Sequence, residues 1–157
     1  MNIENDRPLK LPFPPFLVHF ITVGLGFLIH LSGYDILIIP GFFGESIGYF
    51  LMIVSVGMLL ASLFQFYKTD ETPNPGDPTR YLLGTGLYKY IRNPMYLSGM
   101  LFNVGLAFSL HSLVMLAFIP VQFLCFSYFI IPKEEKYLMD IFGIAYEKYS
   151  NSTRRWF

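Results

Sequence analysis

Between Ile47 and Phe66 the chain runs for twenty residues without a single charge. A helix of that length rises roughly 30 Å, the thickness of the hydrocarbon core of a bilayer. This segment is therefore read as a transmembrane helix, and it sets the frame for the rest. A soluble chain would carry about 25% charged residues. Here the fraction is 14%, against 54% hydrophobic and 18% aromatic residues and a mean hydropathy of +0.47. The deficit of charge points to a membrane.

Three further apolar runs flank it. The first extends from Phe16 to about Leu31 and resumes at Ile36 to Ile39, before a turn at Pro40 and Gly41. The third goes from Met95 to Leu110 and the fourth from Leu113 to Ile131, with His111 and Ser112 between them. So short a connection predicts a tight helical hairpin with His111 and Ser112 at its tip. Pro120 is expected to kink the fourth helix, which neighbouring helices tolerate in a membrane. After Pro132 the pattern turns amphipathic: Tyr137, Leu138, Ile141, Phe142, Ala145, Tyr146 and Tyr149 share one helical face, and Gly143 is placed to divide that helix. Arg154, Arg155, Trp156 and Phe157 have the basic and aromatic character of an interface anchor.

Of the eleven Lys and Arg residues, two precede the first run, four lie between the second and third, and five follow the fourth. The remaining two connections are short and hold none, a modest positive-inside signal that predicts both termini on the cytoplasmic side. The fold expected is all-α: a multi-pass membrane protein of about four transmembrane helices, the last two a hairpin, with a cytoplasmic amphipathic C-terminal helix. It is one domain over residues 1–157, with a two-helix part over 1–66 and a functional part over 67–157. No cleavable signal is expected at the N-terminus, which opens polar and mixed in charge.

Several function classes fall away. Zero net charge argues against nucleic acid, which needs a basic face. The single cysteine, Cys125, excludes a disulfide framework, and His19, His30 and His111 lack metal-ligand spacing. No metal is expected.

The chemistry concentrates in two places. Gly84 to Ser98 reads GTGLYKYIRNPMYLS. Asn93 is a good N-cap and Pro94 suits the first helical position. The start of that helix offers free N–H groups and partial positive charge beside Arg92 and Tyr88, Tyr90 and Tyr96. The second place is Glu134 and Glu135, just past the fourth run. The hairpin makes Asn93 to Tyr96 and Glu134 neighbours at its open end, and the opposite charges of the two clusters suit a zwitterion. Each cluster also has a plain reading, as a solvated interface or an aromatic belt.

The stretch TRYLLGTGLYKYIRNPMYLS, followed about forty residues later by EEKYLMDIFGIAYEKY, resembles the isoprenylcysteine carboxyl methyltransferase and phospholipid methyltransferase superfamily. The match covers roughly Thr69 to Trp156 in four ordered parts: the NPGDPT loop, G-x-G-x-Y, R-[HN]-P-x-Y, and E-E-x-x-L…F-G-x-x-Y-x-x-Y. The resemblance implies an integral-membrane methyltransferase using S-adenosylmethionine. It places Gly84, Gly86 and Tyr88 in the wall of the cofactor site and Leu82 and Leu83 over the adenosine. Asn93, Pro94, Met95 and Tyr96 fall on its cofactor-contacting quartet, Glu134 on the cofactor-binding glutamate and Glu135 on its companion. Arg92 is the candidate for orienting an anionic group of cofactor or substrate; with Glu134 it is assigned to catalysis. Asn93 stands where many members have His. Ile130 stands where the carboxyl methyltransferases place an arginine, which argues against a prenylcysteine carboxylate. The expected partners are membrane lipids and a lipophilic or small-molecule methyl acceptor. An NADPH-dependent reductase of the sterol-reductase type and a non-catalytic membrane scaffold are the competing readings.

Overall fold

The computed structural model describes residues 9–34, 42–75 and 77–157. The expected continuation through Ile36 to Ile39 and the turn at Pro40 and Gly41 lie outside them. The described residues form helices and loops with no strand. In order these are α1 (Pro15–Leu31), α2 (Phe42–Thr69), a single 3-10 turn (Gly86–Lys89), α3 (Pro94–Ser109), α4 (Leu113–Cys125), a π-helical turn (Phe126–Ile130), α5 (Ile131–Phe142) and α6 (Ile144–Ser152).

Among the described residues two stretches are long and apolar enough to cross a membrane: Phe43–Thr69 and Leu113–Phe142. α1, at 17 residues, is apolar but shorter. The outward face of α2 is apolar, with Phe50, Ile53 and Leu60 exposed by 64%, 71% and 60%. A contiguous apolar face of this kind marks contact with lipid or another protein rather than water.

α2 lies along α3, α1 packs on α4, and α3 and α4 form the expected hairpin. The α2–α3 contact is close because glycines meet there. A Cβ on Gly48 would fall 2.5 Å from the Ser109 nitrogen and 2.6 Å from the Gly105 carbonyl oxygen, and one on Gly105 would fall 2.7 Å from the Gly48 carbonyl oxygen. Small residues allow this approach, and close packing of this kind holds the two helices together. α1 is keyed to α4 by a buried polar pair: the Gln122 amide donates to Thr22 Oγ1, whose hydroxyl donates to the Val18 carbonyl at 2.6 Å.

At the hairpin tip His111 adopts a positive φ of 55°, and Ser112 caps α4 by accepting from the Met115 N–H at 3.1 Å. α4 continues through Pro120. The fourth apolar run and the amphipathic segment after Pro132 form one continuous helical stretch over residues 113–142. The π turn accounts for this. The Ile131 N–H reaches the Phe126 carbonyl, five residues back, so the hydrogen-bond ladder is already widened where the ring of Pro132, which has no N–H, must fit. Gly143, at φ 50° and ψ −123°, divides α5 from α6 as expected.

Of the four residues expected to form an outward anchor, Phe157 and Arg154 are exposed, but Trp156 turns inward. Arg154 pairs with the strand-like segment before α3, the Arg92 N–H donating to the Arg154 carbonyl at 2.8 Å and the Arg154 N–H to the Tyr90 carbonyl at 3.1 Å. Trp156 is buried, its ring 5.2 Å from that of Phe123, and its Nε1–H donates to Ser127 Oγ at 3.2 Å. Trp156 joins Val18, Met100, Phe126, Ile130 and Ile131 in one core cluster. The tail is a strap across the open end of the hairpin: pairing backbone and burying an indole there outweighs leaving both at the surface.

Candidate active site

At that open end lies a cavity of about 830 Å³, within the usual range of ligand sites, roughly 300–1,000 Å³. Its polar end is built by four elements: the loop after α2, the segment before α3, α5 and α6. Glu71 organises the loop, its Oε1 accepting from the N–H groups of Arg80 at 2.9 Å and Tyr81 at 3.0 Å. The Tyr137 hydroxyl accepts from the Thr79 N–H at 3.3 Å, which folds the loop back onto α5. The Tyr149 hydroxyl donates to the Tyr88 carbonyl at 2.8 Å, fixing α6 to the 3-10 turn.

Tyr96 and Glu134 meet as the hairpin topology requires: the Tyr96 hydroxyl donates to Glu134 Oε1. Both line the cavity, with Leu82, Leu83, Tyr88 and Met95. Among the described residues no cation lies within ion-pair distance of Glu134. Burial, and secondarily Tyr149 and Glu134 nearby, raises the Tyr88 phenol above the ordinary range, so that group is neutral at physiological pH.

Asn93 stands at the N-cap of α3, but its side chain makes no capping bond; its Nδ2 donates to the Arg155 carbonyl at 3.0 Å. The strap outcompetes the helix for this amide, and the first-turn N–H groups of α3 are left without a side-chain cap. Arg92 is likewise committed to the tail, its Nη1 donating to the carbonyls of Ser150 at 2.5 Å and Thr153 at 2.7 Å, while Nη2 pairs with Glu135 at 3.2 Å. Arg155 takes the same carboxylate through Nε at 3.0 Å and Nη2 at 2.5 Å. Glu135 is therefore neutralised by two guanidiniums, whereas Glu134, one residue earlier, faces the cavity with the Tyr96 hydroxyl as its hydrogen-bond partner. The Nε of Arg92 is buried without a partner.

Gly84 and Gly86 do not line the cavity. Gly86 has φ +60°, and a Cβ there would fall 2.5 Å from Gln65 Nε2; the neighbouring Thr85 Oγ1 donates to Gln65 Oε1 at 2.8 Å. The G-x-G element docks the turn on α2. Sequence reasoning missed Glu71, Tyr137 and Tyr149 as builders of the site and His19 and Asn103 as lining residues; hydrophobic period alone distinguishes none of these from ordinary surface or core positions. Among the described residues no group of three or more His, Cys, Asp or Glu is placed to hold a metal.

An all-helical chain with membrane-length helices and an acidic, aromatic cavity at their end defines a class of helical proteins that act at a membrane. Residues 43–145, about two thirds of the chain, match the family model of phospholipid methyltransferases. The chain belongs to that family, within the isoprenylcysteine carboxyl methyltransferase and phospholipid methyltransferase superfamily. No curated protein matches it.

Proposed function

We propose that the protein is an integral-membrane methyltransferase that takes its methyl group from S-adenosylmethionine, with both termini and the polar end of the cavity on the cytoplasmic side and four helices in the bilayer. The observation that carries the reading is the juxtaposition of Glu134, which has no cationic partner among the described residues, with the uncapped start of α3, in a cavity walled by Tyr88 and Tyr96. The cofactor bears an ammonium, a carboxylate and a sulfonium. Glu134 would hold the ammonium, the first-turn N–H groups of α3 the carboxylate, and the aromatic faces the sulfonium. Leu82 and Leu83 would cover the adenosine.

When bound, the cofactor supplies an activated methyl group. The protein's part is to align the reactants and exclude water, and the strap of residues 153–156 with the loop over 70–83 does both from one side. Arg92 and Glu135 serve by locking that strap; the Nε of Arg92 remains available to an anionic group. The acceptor would be lipophilic and arrive along the apolar part of the cavity. The reductase reading has less support: Arg92 is the sole Lys or Arg lining the cavity among the described residues, and only its Nε is unpaired, whereas a 2′-phosphate needs several free basic groups. Calorimetric titration of the detergent-purified chain with S-adenosylhomocysteine, beside NADPH, tests this. Saturable binding of the adenosyl compound is expected; NADPH binding without it would overturn the proposal.

A further inference from the structure

The cavity does not end at the tyrosines. It runs on between α1, α2 and α3, where Phe16, Phe20, Val23, Val56, Leu59 and Phe102 line it. α1 packs on α4 and α2 on α3, and the described residues give α1 and α2 no extended interface, so this part is a cleft open toward the apolar exterior.

Four polar side chains interrupt its apolar wall: His19, Ser55, Ser98 and Asn103. Two are satisfied within their own helices, Ser55 donating to the Met52 carbonyl and Ser98 to the Met95 carbonyl, each at 2.7 Å. The other two are not. Neither His19 nor Asn103 has a side-chain hydrogen-bond partner among the described residues; His19 Nδ1 and Asn103 Nδ2 are sealed from solvent and bare, and Asn103 is only 5% exposed. Leaving buried polar groups unpaired is costly, and an apolar residue of similar shape would be cheaper. Fold stability therefore does not explain them.

Their placement does. His19 lies over α3 at Gly99, where a Cβ would fall 2.4 Å from the imidazole Cε1 and Nε2. Tyr96, Gly99 and Asn103 are spaced three and four residues apart, hence on one face of α3. Phe126 ties His19 to the polar end, its ring 4.9 Å from the imidazole and 4.6 Å from the Tyr96 ring. The unpaired groups thus line the way from the lipid-facing cleft to Tyr96 and Glu134.

We propose that His19 and Asn103 form the head-group site for the methyl acceptor, and that the acceptor is a lipophilic molecule whose reactive end is an uncharged hydroxyl. This rests on the methyltransferase reading. Among the described residues no Lys, Arg, Asp or Glu lines the cleft between α1, α2 and α3 beside the pair, so a phosphate, carboxylate or ammonium head would be buried there without a counter-charge. A hydroxyl both donates and accepts, and so satisfies an imidazole and a carboxamide in either orientation of the amide. Methylating it forms an O–CH3 bond, breaks the donor's S–CH3 bond to leave a thioether, and releases the hydroxyl proton, which leaves to water through the polar mouth of the cavity.

The test uses the full chain in phosphatidylcholine nanodiscs, labelled with nitrogen-15 in the histidine rings, the His19 signal assigned from its absence in His19→Gln. Titration with 1-dodecanol should move that signal saturably, and dodecane should not. Asn103→Leu should weaken the dodecanol response about tenfold or more without lowering the melting temperature, which a merely structural role would lower; Asn103→Ser serves if the leucine variant fails to fold. An equal response to dodecane, a stronger one to dodecylamine or dodecanoate, or a response unchanged in the variants would overturn the proposal. S-adenosylhomocysteine binding, measured on the same samples, should survive Asn103→Leu. Its absence from the parent chain would refute the methyltransferase reading, while the dodecanol result would still decide the head-group site.

Discussion

The Tyr96 hydroxyl donates to Glu134 across the open end of the α3–α4 hairpin, and Tyr96 in turn stacks on Phe126 at the π turn. One phenol thus joins the start of one helix to the carboxylate on another. If Glu134 holds an ammonium, Glu134→Gln removes a charge-assisted bond and should weaken S-adenosylhomocysteine binding roughly 10- to 100-fold. Tyr96→Phe only frees the carboxylate to reorient and should cost about 2- to 10-fold. Calorimetry on both variants checks the order; a Glu134→Gln variant that binds normally would misplace the site.

Glu135, in contrast, should matter to the fold. Glu135→Ala strands Arg92 and Arg155 and loosens the strap. Removing one partner of a fully buried pair costs about 3–5 kcal/mol, but Arg155 is 40% exposed, so about 2 kcal/mol is expected here. Thermal unfolding should show the loss, and limited proteolysis should cut residues 153–157 faster. A normal melting temperature with lost cofactor binding would reverse the roles of the two glutamates.

The two glycines of the G-x-G element should separate in the same way. Gly86→Ala forces a side chain into the left-handed region and against Gln65, at about 1–2 kcal/mol. A Cβ on Gly84 would meet nothing nearer than Tyr149 at 3.8 Å, so Gly84→Ala should melt like the parent chain.

At alkaline pH the phenols set the limit. Burial pushes Tyr149 up to about 12, although Arg92 and Thr153 pull it down. A raised folded value means that the group stabilises the fold fully below its unfolded value, about 10, and that this contribution fades as pH rises from there to 12. Stability should decline over that window, and less steeply in Tyr149→Phe, which cannot ionise. Melting curves from pH 9 to 12 would show it.

Much of this was legible in the residues. Pro94 opens α3 because its missing N–H has no partner there, and a two-residue connection at His111 and Ser112 forces the hairpin that brings Tyr96 to Glu134. The strap was not legible, because three residues pairing by backbone leave no period to read. The same contact explains Asn93: its local preference is to cap, yet a carbonyl of Arg155 lies within reach and wins. Pro132 sits inside a continuous helix because the π turn before it supplies a widened ladder in which its ring fits. In the sequence His19 shows only that it lacks metal-ligand spacing, and nothing in the third apolar run singles out Asn103; the cleft is what brings the two side chains to one wall.

On the proposed methyltransferase reading, one cavity with a polar mouth and an apolar cleft also changes how the two substrates are to be counted. A cofactor entering among the loop and α5–α6 would come from water and obey an ordinary concentration. An acceptor entering between α1 and α2 would be present as a fraction of the lipid around the protein. Diluting the membrane with inert lipid should then slow the reaction while diluting the buffer leaves acceptor supply untouched, so turnover would respond to what the membrane is made of before it responds to how much of it there is.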